Sequence, residues 1–269
     1  MHKKTGKIFS ILTISLFLLS SCSTVPITGR KRIALLPSSN LTTMALQSYR
    51  TLLNKSRLSN DSRKIAIVRR VGRRIAVAAE QFMREEGLTK ALKNFHWEFN
   101  LIDDPKTVNA FCMPGGKVAV YTGILPVAKN ETGLAVILGH EVAHAIAKHG
   151  NERMSQLLLV QLGGIALDAA LKSKPDQTRS FLMLAFGVAA QVGILLPFSR
   201  THESEADHIG LILMARAGYN PVDAVSFWQR MDKLGGAKLP QFLSTHPASK
   251  TRVKRLKKLL PEVIKYYKK

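Results

Sequence analysis

The sequence predicts an α+β fold that is mostly helical and contains one small sheet. Apolar residues recur at helical spacing over several long segments, whereas two short segments show the alternation typical of strands. Hydrophobic residues make up 46% of the 269 residues and charged residues 22%, as in soluble globular proteins. This composition argues against collagen-like, disordered and multi-span membrane classes.

The clearest predicted helix covers residues 62–86. Ile65, Val68 and Val71 recur there at helical spacing, and arginines occupy the remaining face, which we interpret as solvated. Helices are also predicted at 41–53, 132–149, 152–171, 221–234 and 249–260, with a break near Gly150. Strands are predicted at 96–102 and 117–121, the second directly after the break Pro114-Gly115-Gly116.

The first 21 residues have the features of an export signal. A basic start is followed by an apolar run of about a dozen residues, too short to span a bilayer comfortably. The run ends in Leu19-Ser20-Ser21-Cys22, which resembles the bacterial lipobox. We therefore predict a lipoprotein signal peptide at 1–21 and a lipid on Cys22.

Three segments follow from this assignment: the signal peptide, an irregular lipidated tether at 22–40, and one catalytic-sized domain at 41–269. The predicted location is the cell envelope, anchored by lipid. Ser23 is not the Asp that retains such lipoproteins at the inner membrane of enteric bacteria. We therefore expect the outer membrane, facing the periplasm.

Charge and cysteine content set further limits. The net charge of +22 would suit a polyanion such as nucleic acid or an anionic lipid surface. With only Cys22 and Cys112 in the chain, a disulfide framework is excluded. Nothing near Cys112 in the sequence would lower its pKa, so we interpret it as a small hydrophobic residue and not as a nucleophile.

The segment 180–198 is nearly all apolar and long enough to resemble a transmembrane helix. Gly187, Gln191, Gly193 and Pro197 weaken that interpretation. We expect this segment to pack as a buried helix or to form a surface that touches lipid.

His140-Glu141-Val142-Ala143-His144 lies within an apolar helical segment. Residues four apart on a helix share one face, so both imidazoles can bind one zinc ion. Glu141 lies beside a ligand, where its carboxylate can take a proton from zinc-bound water. The pattern therefore predicts a hydrolytic zinc site with one Zn²⁺ per chain.

A third ligand is predicted in Glu203-Ser204-Glu205-Ala206-Asp207. Glu203 and Asp207 are four residues apart, so they share a helical face as well. One of them can bind zinc while the other accepts the free N–H of a ligand histidine and fixes its orientation.

These motifs together resemble the zinc metallopeptidase family of the CAAX prenyl endopeptidases, the HtpX heat-shock peptidases and the Oma-type mitochondrial proteases. The layout is most similar to the small exported lipoproteins of that family. The resemblance implies a thermolysin-like fold of the gluzincin class, with the small sheet beside the zinc helix. It also implies that His140, His144 and Glu203 bind the metal, and that Asp207 orients a ligand.

The same resemblance extends to two further segments. Asn109-Ala110-Phe111 with Gly115-Gly116 resembles a segment that implies an edge strand, to which an extended peptide substrate adds. His246-Pro247 with Arg252 resembles a late element that implies groups assisting catalysis near the cleft. We expect His246 to donate a hydrogen bond to the oxyanion, with Arg252 adding positive charge. Zinc ligation by His246 in a resting state is the alternative.

The sequence thus predicts a zinc-dependent endopeptidase of the bacterial cell envelope. Its expected substrates are polypeptides, implied by the family and the export signal to be misfolded envelope proteins. Its membrane contact is expected through the N-terminal lipid. One alternative is a non-catalytic, zinc-containing chaperone or scaffold, which the intact Glu141 disfavours. The other is a basic lipoprotein that binds anionic lipid or nucleic acid, although no specific nucleic-acid partner is expected. The oligomeric state stays open.

Overall fold

A computed structural model describes residues 22–233, 241–247 and 249–268. The predicted signal peptide at 1–21 lies outside these residues. The fold divides into two units. The first comprises the described residues up to Ser38 together with Lys148–Arg200, and the second comprises Ser39–Ala147 and the described residues from Thr201 onward.

The described residues are mostly helical. The strands are β1 (Cys22–Thr24), β2 (Lys31–Ile33), β3 (Glu98–Ile102), β4 (Ala110–Met113) and β5 (Lys117–Tyr121). The helices are α1 (Ser38–Lys55), α2 (Ser62–Glu85), α3 (Thr89–Leu92), α4 (Leu125–Ala128), α5 (Glu131–Ile146), α6 (His149–Ala170), α7 (Asp176–Ala190), α8 (Leu196–Arg216), α9 (Asp223–Lys233), α10 (Gln241–Thr245) and α11 (Lys250–Val263). A π-helical turn, Gln191–Leu195, joins α7 to α8, and 3-10 turns cover Thr122–Ile124 and Ile264–Tyr266.

The second unit contains a three-stranded sheet in the order β3-β5-β4. β5 pairs with β3 in parallel and with β4 antiparallel. Gly115 and Gly116 form the turn between β4 and β5 with φ of 86° and 80°, a region that glycine enters without strain. A Cβ atom on Gly116 would come within 2.7 Å of the Trp97 ring. The sheet therefore requires glycine at this turn.

Helix α2 connects the sheet to α5 by packing against both. Asp61 caps its first turn by accepting a hydrogen bond from the Lys64 N–H at 3.1 Å. Val68, Val71 and Ile75 on its apolar face are buried. The α+β, mostly helical class predicted from the sequence is confirmed, and each predicted helix and strand of the previous subsection occurs with ends within three residues.

One sequence-based expectation for the first unit differs from the structure, and another is confirmed. Residues 22–40 do not form an irregular tether, because β1 and β2 pair antiparallel and Val25 between them is buried. The helix break predicted near Gly150 is confirmed, and it occurs at Lys148, whose φ of 54° is left-handed. The single domain predicted at 41–269 divides between the two units.

The apolar segment 180–198 lies within a helical stretch, Asp176–Arg216, that is long and apolar enough to cross a membrane. Its most apolar window has a mean hydropathy of 2.1, and only 6% of that window is buried. The expectation of a buried helix is therefore wrong.

Candidate metal site

Helix α5 positions His140, Glu141 and His144. Asn130 caps this helix by accepting a hydrogen bond from the Gly133 N–H at 2.9 Å. His140 and Glu141 are 2% and 4% exposed, so both polar side chains lie in the interior. Buried polar groups need partners, and the partners here come from α8, from α11 and from the residue that follows α10.

Helices α5 and α8 cross at a pair of glycines. A Cβ atom on Gly139 would lie 2.8 Å from the carbonyl oxygen of Gly210, and one on Gly210 would lie 2.9 Å from the backbone nitrogen of His140. Such distances are shorter than a van der Waals contact, so any larger residue would push the helices apart. The crossing brings Glu203 and Asp207 of α8 to the histidines of α5. The sequence-based reasoning missed both glycines.

Four side chains of the second unit converge on one point. Nε2 of His140 lies 3.1 Å from Nε2 of His144 and 3.3 Å from Oε2 of Glu203. Nδ1 of His246 lies 3.2 Å from Nε2 of His140 and 2.9 Å from Oε1 of Glu203. One ligand atom from each residue lies within 4.8 Å of the others. This cluster could hold a metal ion, because it combines imidazole nitrogens with a carboxylate.

The His246 ring lies between the cluster and Glu141. While Nδ1 faces the ligand atoms, Nε2 is 3.4 Å from Oε1 of Glu141. That carboxylate oxygen is buried and has no hydrogen-bond partner among the described residues. The imidazole therefore lies between the Glu141 carboxylate and Glu203. This placement favours ligation in a resting state over the oxyanion role expected from the sequence.

Asp207 and Arg252 lie beside Nδ1 of His140, the ring nitrogen that is not among the converging ligand atoms. Oδ1 of Asp207 is 3.2 Å from Nδ1 of His140, so Asp207 can accept that N–H and leave Nε2 free to bind a metal. Arg252 donates to Asp207 through Nε at 2.9 Å and Nη2 at 2.6 Å, and its Nη1 lies 3.0 Å from Oε2 of Glu203. Arg255 adds a contact of 3.0 Å to Asp207.

The side chain of Arg252 is not placed as the sequence analysis expected, which was near the cleft. It is 3% exposed, and its guanidinium lies over the Trp228 ring with Cζ 3.3 Å from the ring centroid. Both of its carboxylate partners are buried as well. Its charge is therefore balanced by Asp207 and Glu203. Trp228, which also meets the His140 ring edge-on at 5.8 Å, was not singled out from the sequence.

The electrostatics follow from this burial and pairing. Burial raises the pKa of the Glu141 carboxyl above its usual range. Burial alone would lower the pKa of His140, but the carboxylates of Glu203 and Asp207 together outweigh burial, and the pKa rises to about 9. Burial alone would raise the pKa of the Asp207 carboxyl, but Arg252 and His140 together outweigh burial and hold that pKa well below its usual range. Asp207 is therefore an anion in the folded protein.

The residues predicted to bind substrate occupy different places. β4 is an edge strand of the sheet and packs against α5 beside the cluster. The N–H of Tyr121 on β5 donates to Asn109, so by strand alternation the backbone of Ala110 and Cys112 faces away from β5. Phe111 packs its side chain on a core cluster around Tyr49.

Gly115 and Gly116 serve the turn after β4. Their carbonyl oxygens accept hydrogen bonds from the backbone N–H groups of His96 and Glu98. Together with their positive φ, these bonds account for both glycines by the geometry of the sheet. Binding substrate is not needed to explain them.

Cys112 lies on β4 with a half-buried side chain. Burial raises the pKa of its thiol well above the usual range, with a further contribution from the charge of Glu141. A thiol held in its neutral form is a poor nucleophile. Its surroundings therefore agree with the interpretation of Cys112 as a small hydrophobic residue.

Comparison with known proteins gives matches over most of the chain. Residues 68–260 match Peptidase family M48. The mitochondrial metalloendopeptidase OMA1 of Schizosaccharomyces pombe is 43% identical over 173 residues, which cover 64% of this chain and 49% of that protein. The human metalloendopeptidase OMA1 is 30% identical over 250 residues, covering 89% and 46%. The beta-barrel assembly-enhancing protease of Yersinia pestis is 29% identical over 164 residues, covering 59% and 33%. The chain thus spans about half or less of the length of these relatives.

Proposed function

Because the chain belongs to Peptidase family M48, we propose that it is a zinc-dependent endopeptidase with a thermolysin-like, gluzincin-type site. The observation that carries the proposal is the convergence of His140, His144 and Glu203 beside a buried Glu141. A purely structural metal site would not need that additional carboxylate. The geometry therefore disfavours the non-catalytic chaperone or scaffold.

The donor set and its dimensions suit zinc. A tetrahedral zinc ion with ligand distances of about 2.0–2.1 Å has ligand atoms about 3.3 Å apart. Between ligand atoms of the cluster, the distances around Nε2 of His140 are 3.1, 3.2 and 3.3 Å. Three imidazoles and one carboxylate are also ligands that zinc prefers. When bound, zinc supplies a Lewis acid that lowers the pKa of water and polarises a carbonyl.

Glu141 is assigned the proton transfers. Its buried carboxylate can take a proton from the attacking water and then deliver it to the leaving amine. Burial raises the pKa of this carboxyl. The raised pKa favours both steps, because a general acid and base works best when its pKa lies near the ambient pH. Asp207 keeps His140 in one tautomer, and Arg252 keeps Asp207 in place. The open edge of β4 is the proposed site where substrate backbone binds.

Glu141→Gln tests the proposed function. The variant keeps the shape of the side chain but cannot carry a proton, so we expect casein hydrolysis to fall by about 10²–10⁴-fold. Zinc content, measured by atomic emission, should stay near that of the wild type. Chelation of wild-type protein should abolish hydrolysis, and added zinc should restore it. A Glu141→Gln protein as active as the wild type would contradict the proposal.

We expect His246→Ala to raise hydrolysis of unfolded substrates. Its ring occupies the space beside Glu141, and removing a closing contact of about 1 kcal/mol would increase activity about fivefold. Steady-state kinetics with a fluorogenic peptide measure this. His208→Ala is the matched control, because His208 pairs with Glu262 outside the cluster. A fall in kcat with zinc retained would instead support the oxyanion donor.

The cellular part of the proposal concerns the envelope. The lipobox at Cys22 supports anchoring by a lipid, with the outer membrane facing the periplasm as the proposed location. The similarity to a beta-barrel assembly-enhancing protease supports misfolded envelope proteins as substrates. The OMA1 relatives of Schizosaccharomyces pombe and human are mitochondrial by name.

Cys22→Ser tests the anchor. Without the acceptor thiol, the precursor should stay unprocessed, because acylation normally precedes cleavage of such a signal. Metabolic labelling with a palmitate analogue should tag the wild type only, and a Cys112→Ser protein should be labelled as strongly as the wild type. Equal labelling of Cys22→Ser and wild type would overturn the lipobox interpretation.

A further inference from the structure

The first unit contains a helical hairpin that the proposed catalytic function does not use. Helices α6 and α7 are joined by a short turn at residues 171–175 and pack on each other, with Phe186 lying against Gly163 and Gly164. Near the turn, Arg179 donates two hydrogen bonds of 2.7 Å to Asp168. We call residues 154–196, which include the π-helical turn, the apolar hairpin.

The apolar hairpin exposes large hydrophobic side chains on all sides. Leu157, Leu158 and Leu159 are consecutive on α6 and all exposed, although consecutive helical residues point about 100° apart. The other exposed large hydrophobic residues of the hairpin are Met154, Leu162, Ile165, Phe181, Leu182, Leu184, Val188, Val192, Ile194 and Leu196. A helix that is apolar all round belongs in a protein core or in a membrane.

Charged residues delimit the two arms of the hairpin. The two arms are residues 154–167 and 180–196, and neither contains a charged residue. The charges within the hairpin are confined to its tip, where Lys172, Lys174 and Asp176 are exposed and Asp168 pairs with Arg179, so the tip has a small net positive charge.

The opposite end of each arm is basic as well. Arg153 directly precedes the first arm, and Arg200 follows the second arm. Both arginines are exposed. From Arg153 to Ala170, where α6 ends, the helix rises by about 26 Å, close to the ~30 Å thickness of a hydrocarbon core. Basic residues at both ends of apolar helices of this length match the anionic phosphates of the two headgroup layers.

We propose that the apolar hairpin inserts into a lipid bilayer, with its tip lysines at the far headgroups. The Asp168–Arg179 pair enters as a neutral unit, because each charge is satisfied by the other. A hairpin lying flat would leave half of its apolar surface in water. A second copy of the chain bound to one face would leave the other faces exposed. Insertion covers all of them.

The N-terminal strands connect this hairpin to the proposed lipid site. Arg30 forms two hydrogen bonds of 2.7 and 2.8 Å with Glu152, which is 1% exposed at the start of α6. The N–H of Leu35 donates to Ser155 at 2.9 Å. The segment that begins at Cys22 is therefore fixed to the base of the hairpin. A lipid on Cys22 would enter the membrane from the same side, although the insertion does not depend on that lipid.

Photo-crosslinking of the full chain tests the proposal. The protein is reconstituted in phosphatidylethanolamine–phosphatidylglycerol vesicles that contain a phospholipid with a diazirine in its acyl chain. Trypsin cuts at the basic residues that flank the arms, so peptides 154–172 and 180–200 report on them directly. Peptide 75–84 is the internal control, because it contains Val77, which is 57% exposed in the second unit.

We expect lipid adducts on both arm peptides at tenfold or more the level on peptide 75–84. The double variant Leu162→Glu, Leu184→Glu, which adds charges without new trypsin sites, should lose these adducts while casein hydrolysis in detergent is unchanged, and Val77→Glu should behave as the wild type. Equal adducts on all three peptides would overturn the proposal. So would arms that carry no adduct.

Discussion

We expect Glu203→Ala to lose its stoichiometric zinc and, with it, all measurable proteolysis. Glu203 faces the ring nitrogens of His140, His144 and His246 at 2.9–3.3 Å and is the carboxylate among the four converging side chains. Removing a ligand should weaken zinc binding by more than the ~10–100-fold that loss of an outer partner costs. Metal analysis of the dialysed protein, together with a casein assay, measures both effects.

Glu141→Gln is the matched control, because it alters a buried carboxylate beside the cluster that we do not assign as a ligand. It should retain zinc and lose activity, whereas Glu203→Ala should lose both. If Glu203→Ala misfolds by circular dichroism, Glu203→Gln keeps the side-chain volume and should still bind zinc at least tenfold more weakly than wild type. Full zinc content in both Glu203 variants would show that the ligand is another residue.

The second large effect is expected from Arg252→Ala, and it concerns stability more than chemistry. The guanidinium is the shared partner of Asp207 and Glu203, and all three side chains are buried. Breaking a buried pair leaves uncompensated charge and costs about 3–5 kcal/mol. In a chain of this size, that loss lowers Tm by about 10 °C.

The measurement is calorimetric unfolding with chelator present, so that loss of zinc affinity does not contribute. Arg255→Ala is the control, since Arg255 makes one contact to Asp207 and its side chain is one-third exposed. Its cost should stay near 1–2 kcal/mol. The Arg252 effect should be the same in the Glu141→Gln background. An unchanged Tm with a reduced kcat would restore the oxyanion role for Arg252.

The sequence alone determined the local part of the site. His140 and His144 are four residues apart on an apolar helix, and helical geometry by itself places them on one face with Glu141 beside them. The same spacing paired Glu203 with Asp207. The helices and strands were predictable for the same reason, because their periodicity depends only on residues that are close together in the sequence.

The tertiary structure alone decided which distant groups meet this site. Arg252 turns inward to two carboxylates because both are buried and need a counter-charge, and no local pattern contains that information. His246 places Nδ1 among the ligand atoms because the chain after α10 packs against α5. The helices approach closely enough only because Gly139 and Gly210 meet at their crossing. These contacts join residues more than 40 positions apart, so packing, and not periodicity, fixes them.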